Sequence, residues 1–260
     1  MRQMLRIVVV ALLAAASGAA VAAMDPAKVA AAKKAADEFL VMAKGSEASG
    51  QVPRQADPGA KALLDRIFDR SALGPTVLPI AESGKIGELL NNANRIGFVY
   101  MLAGTGQTDL SKLADDQKAM EQAERNIGAF APEIGRWFDF QMAIQGAMAD
   151  STNAFVASAK KEVLERPQVK EGLGDVRSGL AGSLRGVLQT MSSDTLDDAW
   201  RRDRLPALNE IAPKAAKLVS AQDAASLKDS ATALANALSD DSLKSGLKRF
   251  GETIVSGPKL

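Results

Sequence analysis

Apolar residues recur at spacings of three and four along most of this chain, the pattern of amphipathic helices. Proline, glycine and helix-capping residues interrupt the pattern at intervals. No run alternates between apolar and polar residues in the way that a half-buried strand would. The pattern therefore predicts an all-α protein, a multi-helix bundle of about eight or nine helices.

Two Asp-Pro pairs mark helix starts near the amino-terminal end. Asp25-Pro26 and Asp57-Pro58 each place a capping side chain before a proline at the first helical position. The first pair predicts a helix over residues 26–44, and the second predicts one that closes before Gly74. A polar linker is predicted between them, at 46–56.

The rest of the chain predicts a series of further helices. Their predicted ranges are 85–103, 109–129, 132–165, 169–191, 195–204, 206–219, 222–238 and 241–255. Short connections of this kind favour sequential antiparallel packing. We expect one helical domain over 24–260, with a soft internal boundary near 166–168.

The predicted helix 132–165 carries most of the aromatic residues. Trp137, Phe138 and Phe140 cannot share one narrow stripe, because successive helix positions turn by about 100°. A helix that is apolar over so wide an arc is normally central in its bundle. We therefore expect the segment around Trp137 to lie innermost.

The first 23 residues have the organisation of a secretory signal peptide. Arg2 and Arg6 precede an apolar run, and small residues follow that fit cleavage after Ala22 or Ala23. The alternative is an uncleaved membrane anchor, but the apolar stretch is only about 17 residues, at the short limit for a span. We expect a Sec-type signal peptide over 1–23, a periplasmic or secreted protein, and no stable membrane insertion after cleavage.

Composition removes several kinds of chemistry. The chain has no Cys and no His, so disulfides, thiol catalysis, thiolate metal sites and imidazole acid–base catalysis are excluded. The paired acidic residues point about 100° apart on a helix and would not converge on one metal. The sequence predicts no catalytic site, no metal site and no cofactor.

Charge argues against a nucleic-acid partner. Without Arg2 and Arg6 the chain would keep 30 basic side chains against 31 acidic ones, so its net charge would be close to −1. A protein that neutralises phosphates needs an excess of positive charge, usually on one face. The short basic clusters lie among acidic residues and are typical of a solvated helix surface.

Five residues are candidates for binding a ligand. Tyr100 is the only tyrosine, and with Asn94 or Arg95 it could recognise a polar group between helices. The alternative is a core tyrosine whose hydroxyl reaches the surface. Arg136 and Gln145 interrupt the aromatic helix, where they would either line a cavity or occupy its solvent strip.

The sequence leaves two alternative functions open, which belong to different classes of protein. The first is a non-catalytic, exported interaction protein that docks on an envelope protein through an apolar helix face. The second is a carrier or sensor of a small, mostly apolar ligand, held between the helices predicted at 85–103 and 132–165. In the second case Tyr100, Arg136 and Gln145 would be polar anchors.

Overall fold

The computed structural model describes residues 24–74, 77–79 and 82–257. The signal peptide predicted at 1–23 lies outside the described residues. The α-helices are α1 (Pro26–Met42), α2 (Ser46–Ser49), α3 (Pro58–Ile67), α4 (Ser83–Leu102), α5 (Gln117–Ala129), α6 (Ala131–Ser158), α7 (Lys161–Leu164), α8 (Pro167–Met191), α9 (Asp198–Ala216), α10 (Ala221–Ala237) and α11 (Asp241–Ser256). Two 3-10 helices, Arg70–Leu73 and Leu110–Asp115, precede α4 and α5.

The described residues form an all-α, multi-helix bundle without strands, as predicted. Nine of their helices have seven or more residues. Capping explains several helix starts, because a side chain before the helix accepts an otherwise unpaired backbone N–H. The Asp25 carboxylate accepts from the Ala27 amide at 2.9 Å, and Asp240 accepts from the Leu243 amide at 2.9 Å.

Helix α6 is central, as its aromatic arc predicted. It contacts α4, α5, α8, α9 and the 3-10 helix Arg70–Leu73. The three aromatic residues meet different neighbours: Phe98 of α4 lies 5.8 Å from Trp137, Trp200 of α9 lies 5.4 Å from Phe138, and Phe68 after α3 lies 5.7 Å from Phe140, measured between ring centroids. The segment around Trp137 is therefore buried on several sides.

The break predicted at Pro206 is wrong. Residues predicted as two helices, 195–204 and 206–219, form the single helix α9, which holds Pro206 and Pro213 in its interior. Both prolines face solvent, whereas residues such as Leu208 and Ile211 are buried on the opposite side, where α9 packs against α6 and α11. Burial of that face outweighs the backbone hydrogen bonds that proline removes.

Two other predicted helices are also divided. Helix α6 ends at Ser158 instead of running to 165, since Ala159 and Lys160 are extended and the one-turn helix α7 follows. The helix predicted at 109–129 begins as a 3-10 helix, and α5 starts only after Asp116, whose carboxylate caps it. The linker predicted at 46–56 contains the one-turn helix α2.

A continuous cluster of buried apolar residues extends from Met24 to Ile254. It includes residues on both sides of 166–168, the soft boundary predicted from the sequence. On α6 its last member is Ala149, and on α8 its first member is Leu180. Among the described residues, no helix has the length and apolar character needed to cross a bilayer.

Candidate functional site

Tyr100, the first of the five candidate ligand residues, is buried in the core. Its ring lies between Phe39 and Phe130, with centroid distances of 5.9 and 5.3 Å. Its hydroxyl donates to the carbonyl oxygen of Pro53 at 3.0 Å. Burial, helped by the nearby negative charge of Glu133, raises the pKa of Tyr100 far above its usual value. The hydroxyl is thus a neutral donor that holds the 51–57 segment.

Asn94 and Arg95 point to different neighbours. The Asn94 side-chain oxygen accepts from the Trp137 indole N–H at 3.1 Å and from the Gln141 amide at 2.6 Å. Arg95 instead forms an ion pair with Asp37 of α1, with 3.0 Å between Nη1 and Oδ1. Asn94 therefore joins α4 to α6, whereas Arg95 joins α4 to α1.

Arg136 binds the surface of α3 and not an interhelical ligand site. Its Nη2 lies 2.7 Å from Asp65 Oδ1, and its guanidinium lies 5.8 Å from the centroid of the Phe68 ring. Asp139, one turn along α6, faces Arg204 at 3.7 Å and Arg70 at 3.8 Å. Burial raises the pKa of Asp139 even though both arginines oppose the shift.

Gln145 lies on the α8 side of α6. It is 4% exposed, and its Nε2 donates to the Ser183 hydroxyl at 3.1 Å. Its Oε1 is buried and has no hydrogen-bond partner among the described residues. Of the five candidates, Gln145 alone presents a buried polar side-chain atom without a partner.

The structure does not bring the five candidates together. Each makes its contact with a different element: Tyr100 with the 51–57 segment, Asn94 with α6, Arg95 with α1, Arg136 with α3 and Gln145 with α8. Two open surface depressions, of about 860 and 510 Å³, lie elsewhere, at the start of α5 and on the outer face of α1. Within the described ranges, no cluster of three or more acidic side chains could hold a metal ion.

A buried carboxylate beneath the 51–57 segment was not predicted. Glu133 is 1% exposed. Its Oε1 accepts a hydrogen bond from the backbone N–H of Gln55 at 2.9 Å and lies 3.5 Å from Arg54 Nε. Arg54 also donates to the Ala129 carbonyl at 2.7 Å and lies over the Phe130 ring. Together with the hydrogen bond of Tyr100, these contacts hold the 51–57 segment in place. From its polar composition alone, this segment was predicted to be part of a linker.

Residues 150–179 form a helical hairpin that lies outside the core cluster, and we call this hairpin the arm. It consists of the last turns of α6, helix α7 and the first half of α8. The continuous core cluster has no member in this range. The base of the arm is fixed to α9, because Asp150 pairs with Lys214 at 2.8 Å and Asn153 donates to the Lys214 carbonyl at 3.0 Å.

The arm carries its own apolar side chains. On α8 they recur at helical spacing, as Val169, Leu173 and Val176, whereas Phe155 and Val156 on α6 are adjacent and point about 100° apart. Val169 is buried outside the continuous cluster. The others are only half-buried: Phe155, Val156, Val163, Leu164, Leu173 and Val176. These six half-buried side chains, which we call the seam, keep part of their apolar surface accessible to solvent.

Charges on the arm balance. Residues 150–179 contain five basic and five acidic side chains. Lys170 pairs with Glu165 at 2.7 Å, in addition to the Asp150 pair at the base. A neutral surface with an apolar seam does not favour phosphate or anionic lipid, for which a basic excess would be needed.

The fold and this surface define an all-α helical bundle with a two-helix arm. Comparison of the chain with family models, curated proteins and solved structures gave no match.

Proposed function

We propose that this chain is an exported, periplasmic, non-catalytic interaction protein that docks on an envelope protein through the arm. The observation that supports this best is the seam of half-buried apolar side chains at 150–179, beyond the end of the core cluster. Apolar surface of this kind gains free energy when a partner removes it from water.

The proposed location depends on the leader. Positive residues, an apolar run and small residues at a cleavage position together direct a chain to the export machinery. A chain without cysteine needs no oxidative folding after export, because packing alone holds its helices together. The lack of histidine and cysteine also favours binding over catalysis.

The docking mode we propose is helix against helix. Leu173 and Val176 lie three positions apart on α8, and Phe155 lies on α6. An amphipathic helix of a partner could cover these apolar side chains. Aromatic side chains such as Phe155 are enriched at the buried centre of protein interfaces. The balanced charge of the arm requires no strongly charged partner.

Site-specific photo-crosslinking in living cells tests the docking role. A photoreactive residue at Leu173 should give an adduct with an envelope protein, whereas the same residue at Val255 of α11 should not, although Val255 is apolar and more exposed than Leu173. Adducts from Val255 but none from Leu173 would place the docking surface elsewhere and contradict the proposal.

Cell fractionation and mass spectrometry test export separately. We expect the mature protein in the periplasmic fraction, with Ala23 or Met24 as its first residue. Replacing Ala22 and Ala23 together by bulky residues should block both possible cuts, since each cut requires a small residue directly before it. An uncleaved chain in the cytoplasm would overturn the proposed location.

The alternative function, a carrier of a small, mostly apolar ligand, is supported by one observation. Gln145 Oε1 is buried and has no hydrogen-bond partner in the described part of the chain. Native mass spectrometry tests it: extra mass lost on denaturation, and reduced in Gln145→Leu, would support a carrier. Clean apo mass in both proteins would exclude that function.

A further inference from the structure

We propose that the arm is also the self-association surface of this protein, where it packs antiparallel against the arm of a second copy. The inference rests on the proposed docking role of the arm and names a second copy as the occupant of the seam, which an envelope protein would have to displace. Each arm supplies two helices, so the pair would form a four-helix bundle about a two-fold axis. The same surface would then be used twice, as an isologous interface requires.

The apolar seam provides the driving force. Phe155 and Val156 of α6, and Leu173 and Val176 of α8, are half-buried and keep part of their surface accessible to solvent. A second hairpin would cover the accessible part of these side chains. Val169 shows that part of the arm is already packed away from water, so the seam is formed before a partner arrives.

The charge distribution selects the antiparallel arrangement. The tip of the arm, residues 160–170, contains four basic and two acidic side chains. The base, residues 150–159 and 171–179, contains three acidic side chains and one basic one. An antiparallel pair places the positive tip of each copy beside the negative base of the other, whereas a parallel pair would oppose like charges.

Ion pairs within the chain leave this complementarity in place. At the tip Lys170 is paired with Glu165, and no ion pair within the described ranges involves Lys160, Lys161 or Arg166. At the base Asp150 is paired with Lys214 of α9, while Glu171 and Asp175 have no such pair in those ranges. Arg177 makes a contact within its own chain. At the tip three positive charges therefore remain against the one negative charge of Glu162, and at the base the two negative charges of Glu171 and Asp175 remain.

Sedimentation equilibrium of the purified mature protein tests self-association directly. We expect a two-chain mass that dissociates on dilution, with a dissociation constant that rises at high salt because the tip and base charges are screened. A single-chain mass at every concentration would overturn the proposal.

Charge reversal tests the arrangement. Lys160→Glu with Lys161→Glu inverts the tip, and Glu171→Lys with Asp175→Lys inverts the base. Each double variant alone should be monomeric, since it opposes like charges twice. An equimolar mixture should recover a mixed dimer, with at least about tenfold tighter association than either variant alone, because both contacts are then attractive again.

The matched control is Lys118→Glu with Lys248→Glu, which makes the same change of charge on the exposed surfaces of α5 and α11. This variant should dimerise like the unmodified protein. Circular dichroism should show that all variants keep their helices. Dimerisation of the tip and base variants by themselves, or a mixture that stays monomeric, would overturn the antiparallel arm pair.

The two proposals can fail separately. A monomer whose Leu173 crosslinks to an envelope protein would overturn the self-association and leave the docking role. A charge-dependent dimer that gives no envelope adduct from Leu173 would support the arm pair and contradict docking on an envelope protein.

Discussion

At the scale of single residues, one glycine decides how the central helix packs. A Cβ atom at Gly97 would lie 2.3 Å from Cδ2 of the Trp137 indole. The missing side chain lets the indole lie against the α4 backbone, where its N–H reaches Asn94. Gly97 is therefore a packing requirement of the α4–α6 contact, although a glycine inside a helix costs conformational entropy.

We expect Gly97→Ala to destabilise the protein by about 1–3 kcal/mol, because the methyl group would displace Trp137 from the packed core. The control is Gly186→Ala on α8, where an added Cβ meets no atom within 4 Å. That substitution should be neutral or stabilise by about 0.5–1 kcal/mol through helix propensity. Urea unfolding of both variants provides the comparison, and equal effects would contradict this packing.

Tyr100 predicts a specific loss of stability in alkali. The raised pKa means that the folded protein keeps the phenol proton at pH values where the unfolded chain, with an ordinary pKa of 10.0, has released it. Its contribution to the free energy of unfolding is therefore complete below pH 10 and falls as the pH rises beyond it. Tyr100→Phe should lack this decline, at a cost of about 1 kcal/mol near neutrality from the lost hydrogen bond.

The measurement is chemical unfolding of both proteins from neutral pH into the alkaline range. Because Tyr100 is the only tyrosine, the ultraviolet absorbance of tyrosinate should appear only as the protein unfolds. If the free energy of unfolding fell equally with pH in Tyr100→Phe and in the unmodified chain, the decline would not come from Tyr100. Ionisation of the phenol in the folded protein near pH 10 would also contradict the raised pKa.

At the scale of elements, the junction between α8 and α9 depends on one buried arginine. Arg201 of α9 is 6% exposed and donates to the Met191 carbonyl at 2.9 Å and to the Ser193 carbonyl at 2.7 Å. It also pairs with Asp198 at 2.8 Å. Its planar guanidinium therefore satisfies carbonyl groups at the end of α8 while it orients the start of α9.

We expect Arg201→Lys to destabilise the protein by roughly 2–4 kcal/mol, since one ammonium group cannot reach all three partners and leaves buried carbonyls unpaired. Arg202→Lys is the control, because Arg202 is exposed and its one ion pair, with Asp240, lies at the surface. Thermal melts of both variants make the comparison. If the two changes were equally mild, the junction would not depend on Arg201.

Local signals predicted where most helices lie, but not every boundary. Asp25 and Asp240 place helix starts correctly, because a cap is a contact over two or three residues. Pro206 gave the wrong result, since burial of the opposite face of α9 against α6 and α11 was not visible locally. The candidate ligand residues show the same limit. Tyr100 could be singled out as the only tyrosine, but its hydrogen-bond partner, the Pro53 carbonyl, is far away in sequence and could not be predicted.

At the scale of the whole molecule, the continuous core suggests that unfolding is cooperative. Its buried members range from Met24 to Ile254 and include residues before and after the predicted boundary at 166–168. Helix α11 packs on α9 and α10, and α9 packs in turn on α6. A change in α11 should therefore affect Trp137 on α6.

We expect Leu247→Ala in α11 to cost about 2–5 kcal/mol, because the side chain is fully buried, and to lower one melting temperature common to all probes. Tryptophan fluorescence from Trp137 and Trp200 should follow the same transition as far-ultraviolet circular dichroism. Lys248→Ala, at the exposed neighbouring position, should change stability by less than about 0.5 kcal/mol. Two separate transitions, only one of them shifted, would show independent units.

The sequence by itself determined the helical class, most helix starts and the central position of the helix around Trp137, because caps, proline rules and apolar periodicity act over a few residues. The tertiary structure alone decided that α9 passes through Pro206 and that the five candidate residues point to five different neighbours. It also decided where the core ends, at Ala149 on α6 and Leu180 on α8. These features depend on which faces meet across long sequence separations, and that is a property of packing, which the order of residues along one helix does not contain.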